Sequence, residues 1–218
     1  MLLPKSCPVC GAQGRAPCDR CRAELRPAPS LPPPLGIDAA AAVLHYSGAG
    51  RELVARLKYR NARSSVTFLA RAMAALVDPA AVEVVSWIPT TPARRRQRGF
   101  DHAEVLARAV ARRIGRPCRP LLRRLPGPAQ TGLSLAARRA GPAFVAPCSS
   151  PLSVLLVDDV VTTGATATGA ARMLRAAGAS RVELVSAART PPRGVHSAMA
   201  VCGSVVESRG QPQAKRPT

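Results

Sequence analysis

The chain has 218 residues, of which 47% are hydrophobic, and it carries 32 Lys and Arg against 12 Asp and Glu for a net charge of +20. That length suits one or two domains, and that apolar share argues for a globular protein with an ample core. No run of eighteen uncharged apolar residues exists, and the opening segment 1–6 is too short for a signal-peptide apolar region, so neither a membrane span nor a signal peptide is expected, and the cytoplasm is the expected address.

The basic residues are nearly all arginine, with only Lys5, Lys58 and Lys215 as lysines, which beside abundant Ala, Pro and Gly reflects in part a compositional bias of the genome. The scarcity of acids still leaves a cationic surface, which attracts phosphorylated substrates, nucleic acid or acidic proteins. Aromatic residues make up 3% of the chain and Trp87 is the only Trp, so no platform of interleaved aromatics and bases for stacking a single strand is visible.

At the N-terminus, Cys7-Pro-Val-Cys10 is followed after seven residues by Cys18-Asp-Arg-Cys21. Two such knuckles imply a four-thiolate site, and tetrahedral thiolate coordination is the preference of structural Zn²⁺. The gap is shorter than in common zinc modules, which leaves disulfide pairing or redox chemistry open, although nothing points to an oxidising compartment. Cys118, Cys148 and Cys202 stand singly and are expected to be buried structural thiols. The organisation expected is a cysteine module over 1–25, a semi-rigid proline-rich linker over 26–37, a main domain over 38–207 and a disordered basic tail over 208–218.

Within the main domain a strand is expected over 39–46, ending at the Ser47-Gly48 turn. A helix with Leu53, Val54 and Leu57 on one face follows, then an apolar helix over 65–77 stopped by Pro79. The run 82–88 reads as a core strand. After it comes a loop, Pro-Thr-Thr-Pro-Ala-Arg-Arg-Arg-Gln-Arg-Gly-Phe-Asp at 89–101, with four arginines in front of a helix whose Asp101 and Glu104 fit a capping box. If strands 82–88 and 154–157 are neighbours, this loop faces the turn after the second one, and a diphosphate could bridge the two because Arg binds phosphate oxygens as a planar fork. A solvated basic loop is the alternative.

The most informative segment is Val-Leu-Leu-Val-Asp-Asp-Val-Val-Thr-Thr-Gly-Ala-Thr at 154–166. Its apolar start suits a strand of a parallel sheet buried on both faces, with carboxylates at the C-terminal end, where ligands bind in open α/β sheets. Thr162, Thr163 and Thr166 offer hydroxyls, Gly164 permits close backbone approach, and a helix starting near Thr166 adds its positive end, so that the turn can cradle a phosphate. Asp158 and Asp159 suit vicinal hydroxyls, or a divalent cation bridging those hydroxyls to a second phosphate. An Asp-capped strand end with an ordinary Thr-Gly turn is the alternative for any two of these residues. The helix is expected to end at Gly178, with strands over 182–187 and 198–206 beyond it. His45, His102 and His196 are the only histidines and none lies in a nucleophile arrangement, so surface or packing roles are expected for them.

The string 154–166 resembles at every position the phosphoribosyl-diphosphate (PRPP) signature of type I phosphoribosyltransferases. That resemblance implies an α/β fold with a parallel sheet flanked by helices. It also implies that Asp158, Asp159, Val160, Val161, Thr162, Thr163, Gly164, Ala165 and Thr166 bind PRPP. The aspartates would hold the ribose hydroxyls, the turn would hold the 5-phosphate, and Mg²⁺ would arrive with the diphosphate. Arg98-Gly99-Phe100 resembles the diphosphate-contacting turn of such enzymes, which implies Thr90, Arg98 and Gly99 as diphosphate ligands and Asp158, Asp159 and Arg98 as the catalytic set.

The ordered set of cysteine knuckles, Tyr46, Arg51-Glu-Leu, Leu57-Lys-Tyr-Arg60, the arginine loop, Gln130, Leu133-Ser134 and the Asp-Asp signature resembles the ComF family over nearly the whole chain. This implies structural Zn²⁺ at Cys7, Cys10, Cys18 and Cys21, an acceptor not readable from these residues, and an association with DNA uptake in competent bacteria. A homodimer is compatible with it. Where the family has Pro-Val-Pro this chain has Pro89-Thr-Thr, where it has Asn-Gln this chain has Asp101-His102, and the family's Arg-x-x-Asn before Ala-Phe is shortened to Arg138-Arg-Ala-Gly-Pro-Ala-Phe144. The departures fall on the diphosphate and acceptor side, so PRPP binding is better supported than turnover. Lys58 or Arg60 would close over the site. A non-catalytic adaptor for single-stranded DNA or a DNA-processing partner is the second reading.

Overall fold

A computed structural model describes residues 6–58, 63–125, 144–146 and 152–190. Arg60, Gln130, Leu133, Ser134, Arg138, Cys148, His196, Cys202, the strand expected over 198–206 and the tail over 208–218 lie outside the described residues, as does the side chain of Lys58.

The elements in chain order are α1 (Asp19–Ala23), β1 (Ala39–His45), α2 (Gly48–Ala55), α3 (Arg63–Ala74), β2 (Val84–Trp87), α4 (Pro92–Arg98), α5 (His102–Ile114), β3 (Arg123–Arg124), β4 (Phe144–Val145), β5 (Ser153–Val161), α6 (Ala165–Ala176) and β6 (Arg181–Arg189). Strands β1, β6, β5 and β2 form, in that order, one parallel sheet, while β3 and β4 make a separate antiparallel pair. The expected parallel sheet flanked by helices is therefore present. Strands 82–88 and 154–157 are neighbours as the sequence reading required, with Val84 opposite Val154 and Trp87 opposite Val157.

Residue type explains why β5 lies inside the sheet. Leu155 and Val157 pack with Val85, Leu53, Leu69, Met73, Leu106 and Val110, the inward stripes of α2, α3 and α5. Val154 and Leu156 join Ala167, Ala170 and Leu174 of α6 on the opposite side. A strand apolar on both faces can only be satisfied between two helical layers. Burying a Leu fully contributes about 1.5–3 kcal/mol, so these two stripes are a main source of the sheet's stability. Among the described residues no helix is long and apolar enough to cross a membrane.

Two boundaries differ from the sequence reading in ways that shape the site. The arginine segment is not an open loop: Pro92 starts a two-turn helix, the Thr91 hydroxyl caps it by accepting from Arg94 N at 3.2 Å, and Gly99 ends it in the left-handed region at φ +79°. Proline at the first helical position and glycine just past the last are the usual start and stop. β5 also runs on to Val161, so both aspartates sit within the strand rather than after it.

The proline-rich run is laid along β1 and across the sheet's end. Ala28 N donates to Val43 O at 3.1 Å, His45 N to Arg26 O at 2.9 Å, and the Arg189 guanidinium donates to Leu31 O and Pro32 O at 3.3 and 2.9 Å.

Candidate functional site

β5 delivers the two carboxylates to the C-terminal edge of the sheet. Its hydrogen bonding to β6 continues past them, with Asp158 opposite Ser186 and Val161 opposite Arg189. The last link to the other neighbour is Ile88 N donating to Val157 O at 3.0 Å, so from Asp158 onward that edge of β5 has no strand beside it among the described residues. Asp159 N donates to Asp158 Oδ1 and Val160 N to Asp159 Oδ1, both at 2.9 Å. Burial pushes the Asp158 carboxyl well above the ordinary carboxylate range. The charge of Asp159 and its hydrogen bond to Asp158 push the same way, as does the charge of Asp101. The ionised form of Asp158 is thus disfavoured until a cation or hydroxyl donors arrive.

The turn after β5 follows the sequence reading closely. Thr162 and Thr163 are exposed, and Gly164, at φ +78°, stands at the N-cap of α6 with no side-chain cap above it. Ala165 N donates to the Thr163 hydroxyl at 3.4 Å, and the next first-turn amides of this twelve-residue helix stand at the strand end, the arrangement that binds anions. Pro34 lies against this turn. A Cβ placed on Gly164 would sit 3.0 Å from Pro34 Cγ.

β2 delivers the facing wall. Beyond it opens a cleft of about 380 Å³ lined by Thr90, Arg95, Asp101, Arg123 and Arg124, with apolar lining from Trp87, Leu122 and Pro89, Pro92 and Pro120. Arg124 is half-buried with its guanidinium 5.8 Å from the Phe144 ring centroid. Burial, and then the nearby Arg94, lower its pKa, while Asp158 and Asp101 act in the opposite direction. Arg124 thus lines the cleft within reach of the Asp158 charge. Arg95 Nη2 lies 3.8 Å from Glu104, which also binds Arg108 at 2.9 Å. Arg108 in turn stacks over Trp87 at 5.8 Å.

Of the three residues expected at the diphosphate, Thr90 lines the cleft and Arg98 and Gly99 do not. Arg98 Nη1 donates to His102 Nε2 at 3.2 Å, and Arg98 does not line the cleft. Thr90 does line it, but its N–H donates to Asp101 Oδ2 at 2.8 Å, which leaves its hydroxyl as the free group. Gly99 N donates to Arg95 O at 2.8 Å as the end of α4. The cleft arginines that sequence reasoning passed over are Arg123 and Arg124, a dipeptide between leucines with no motif around it.

At the other end of the described chain, the Sγ atoms of Cys7, Cys10, Cys18 and Cys21 lie within 4.8 Å of one another, and Cys10 and Cys18 are 3.7 Å apart. All four are free thiols rather than disulfides. Four sulfurs about 2.3 Å from one tetrahedral ion lie about 3.8 Å apart, so the donor set fits a Zn²⁺-sized cation. Burial raises the Cys7 thiol, but N–H groups of Cys10, Cys18 and Val9 favour its thiolate and bring it down to about 6. Cys21 is pushed up to about 12, first by burial and then by the other three thiols. The module rests on the main domain, with Arg22 stacked 5.6 Å from the Phe68 ring and Val9 and Leu25 packed on the core.

The chain is similar to several solved structures. The allosteric regulatory enzyme of purine biosynthesis is 24% identical over 56% of this chain and 25% of its own, with a TM-score of 0.39. The glutamine phosphoribosylpyrophosphate amidotransferase from B. subtilis, complexed with ADP and GMP, is 21% identical over 61% and 30%, with a TM-score of 0.42. The purine phosphoribosyltransferase from Pyrococcus horikoshii is 15% identical over 58% and 84%, with a TM-score of 0.40. This chain therefore spans less than a third of the length of the first two. No protein-family model and no curated protein matches it.

Proposed function

We propose that this chain binds PRPP together with Mg²⁺ in a phosphoribosyltransferase-type site, as a ComF-like protein whose acceptor is undefined, and that Zn²⁺ organises its N-terminal cysteines. The supporting observation is the convergence at one sheet edge of the Asp158-Asp159 pair, the N-terminus of α6 and an arginine-lined cleft whose Arg124 lies within reach of the Asp158 charge. The ribose hydroxyls donate to Asp158 and Asp159, and the 5-phosphate accepts from the amides and hydroxyls over 162–166. The diphosphate takes the cleft, with Arg95, Arg123, Arg124 and the Thr90 hydroxyl as donors. That allocation moves the diphosphate role from Arg98 to the cleft arginines.

Transfer on such a site breaks the bond from C1 to the diphosphate oxygen, whose electron pair leaves with the diphosphate. A lone pair of the acceptor forms the new bond to C1, and the acceptor's proton passes to the diphosphate or to water. Developing positive charge at C1 is stabilised by the fixed carboxylates, and the leaving anion by the arginines, so orientation and electrostatics do the catalysis without a covalent intermediate. Mg²⁺ neutralises part of the diphosphate charge when it arrives with the substrate.

A second reading, a single-stranded DNA adaptor, draws on the exposed Arg94 and Arg96 of α4. Thermal unfolding distinguishes the two. Mg²⁺ with PRPP is expected to raise the transition, and a single-stranded oligonucleotide is expected to leave it nearly unchanged. A shift with the oligonucleotide alone supports the adaptor and overturns the PRPP reading.

A further inference from the structure

Asp101 is the least explained charged residue near the site. It is 4% exposed, it lines the cleft with three arginines, and it makes no ion pair with any of them. Its two oxygens do separate tasks. Oδ1 accepts from Ala103 N at 3.1 Å and caps α5, whereas Oδ2 accepts from Thr90 N at 2.8 Å across eleven residues of chain. That second bond closes the base of the whole excursion from β2 through α4 to α5. Everything that aims Arg95 and Thr90 into the cleft lies inside the closed segment: the Thr91 cap on Arg94 N, the two turns of α4, and Gly99 in its left-handed conformation. Only a carboxylate does both tasks. An amide side chain has one acceptor oxygen, and its NH₂ would face a backbone N–H.

Building on the PRPP reading, we infer that Asp101 is a positioning residue for the anion-binding wall of the cleft, acting through Thr90 and α4 without touching the ligand. The ribose 5-phosphate half of the site hangs on β5 and α6, outside this closure, and Asp101 reaches it only through its charge on Asp158, which counts for less than burial and Asp159, so the two halves are separable.

Asp101→Ser provides the test, because a serine hydroxyl still caps α5 but does not also span to Thr90 N. Asp101→Asn is the second variant. Binding of Mg²⁺-pyrophosphate and of ribose 5-phosphate is measured by calorimetry on the full chain. Both variants are expected to weaken Mg²⁺-pyrophosphate about tenfold, the effect of leaving one N–H unpaired, while ribose 5-phosphate binds within twofold of the parent chain. Unchanged pyrophosphate affinity, or equal weakening of both ligands, overturns the inference. So does a parent chain that binds ribose 5-phosphate but no pyrophosphate. A parent chain that binds neither ligand overturns the PRPP reading itself, and the inference falls with it.

Discussion

Asp158 carries the largest tension at the scale of single residues. Burial and Asp159 hold its carboxyl well above its ordinary value, so the folded chain keeps a proton that the unfolded chain releases near pH 4. Because the folded state binds more protons between pH 4 and that raised value, this group's contribution to stability falls as pH rises through the window. Asp158→Asn removes the penalty. The variant is expected to melt above the parent chain at pH 7, with the gap shrinking toward zero as pH is lowered to 4, as followed by calorimetric melts across that range. Asp101 is raised in the same direction, mainly by burial and against the backbone N–H groups of Thr90, Ala103 and Glu104, and it is present in both proteins. A carboxylate that costs stability when ionised, beside a cleft of arginines, is better suited to a ligand than to the fold. Reaction with Mg²⁺-PRPP is accordingly expected to release protons, read as a buffer-dependent binding enthalpy.

Among the elements, the turn joining β5 to α6 was the most legible in the sequence. Its glycine, hydroxyls and preceding apolar strand each have one local physical cause, and all of them fall where the pattern puts them. The β2–α5 connection was less legible, because the arginines in it obscured a helical start that Thr91, Pro92 and Gly99 spell out. The pair Arg123-Arg124 was not legible at all. It acquires meaning only when β3 pairs with β4 and stacks Arg124 on Phe144, a contact between residues twenty positions apart that no periodicity encodes. The proline-rich run shows the same limit: its composition dictates an extended chain but not that Pro34 would touch Gly164. This contact makes a prediction for the turn. Gly164→Ala combines a left-handed backbone with a clash at 3.0 Å, and is expected to destabilise the chain by about 1–2 kcal/mol. That lowers the melting temperature by about 2–8 °C for a domain of this size. Ribose 5-phosphate binding is expected to weaken with it, whereas Mg²⁺-pyrophosphate binding is retained.

For the whole molecule, the cysteine cluster and the sheet domain form one packed body through Arg22, Phe68, Val9 and Leu25. Neither the two knuckles nor the apolar stripe of α3 foretold that contact, because each is complete as a local pattern. The cluster is expected to hold one Zn²⁺ per chain, measured by atomic emission on the purified protein, with Cys7→Ser or Cys21→Ser abolishing it. Chelation is expected to lower the melting temperature while the parallel sheet persists, since metal binding is coupled to folding of the module and the sheet has its own two-sided core. Retention of full metal content by either variant would show that the four thiols are not the ligands.

The proposed ligand pocket rests on one pair of side chains. Titration of Mg²⁺-PRPP into the parent chain and into the double variant Asp158→Asn with Asp159→Asn tests it with the fold held constant. Saturable binding is expected in the parent chain, together with an added stability of about 2.7 kcal/mol at a hundred times the dissociation constant. Both are expected to vanish in the double variant, whose sheet still melts cooperatively. Equal affinity in the two proteins, or no binding by the parent chain, would contradict the assignment.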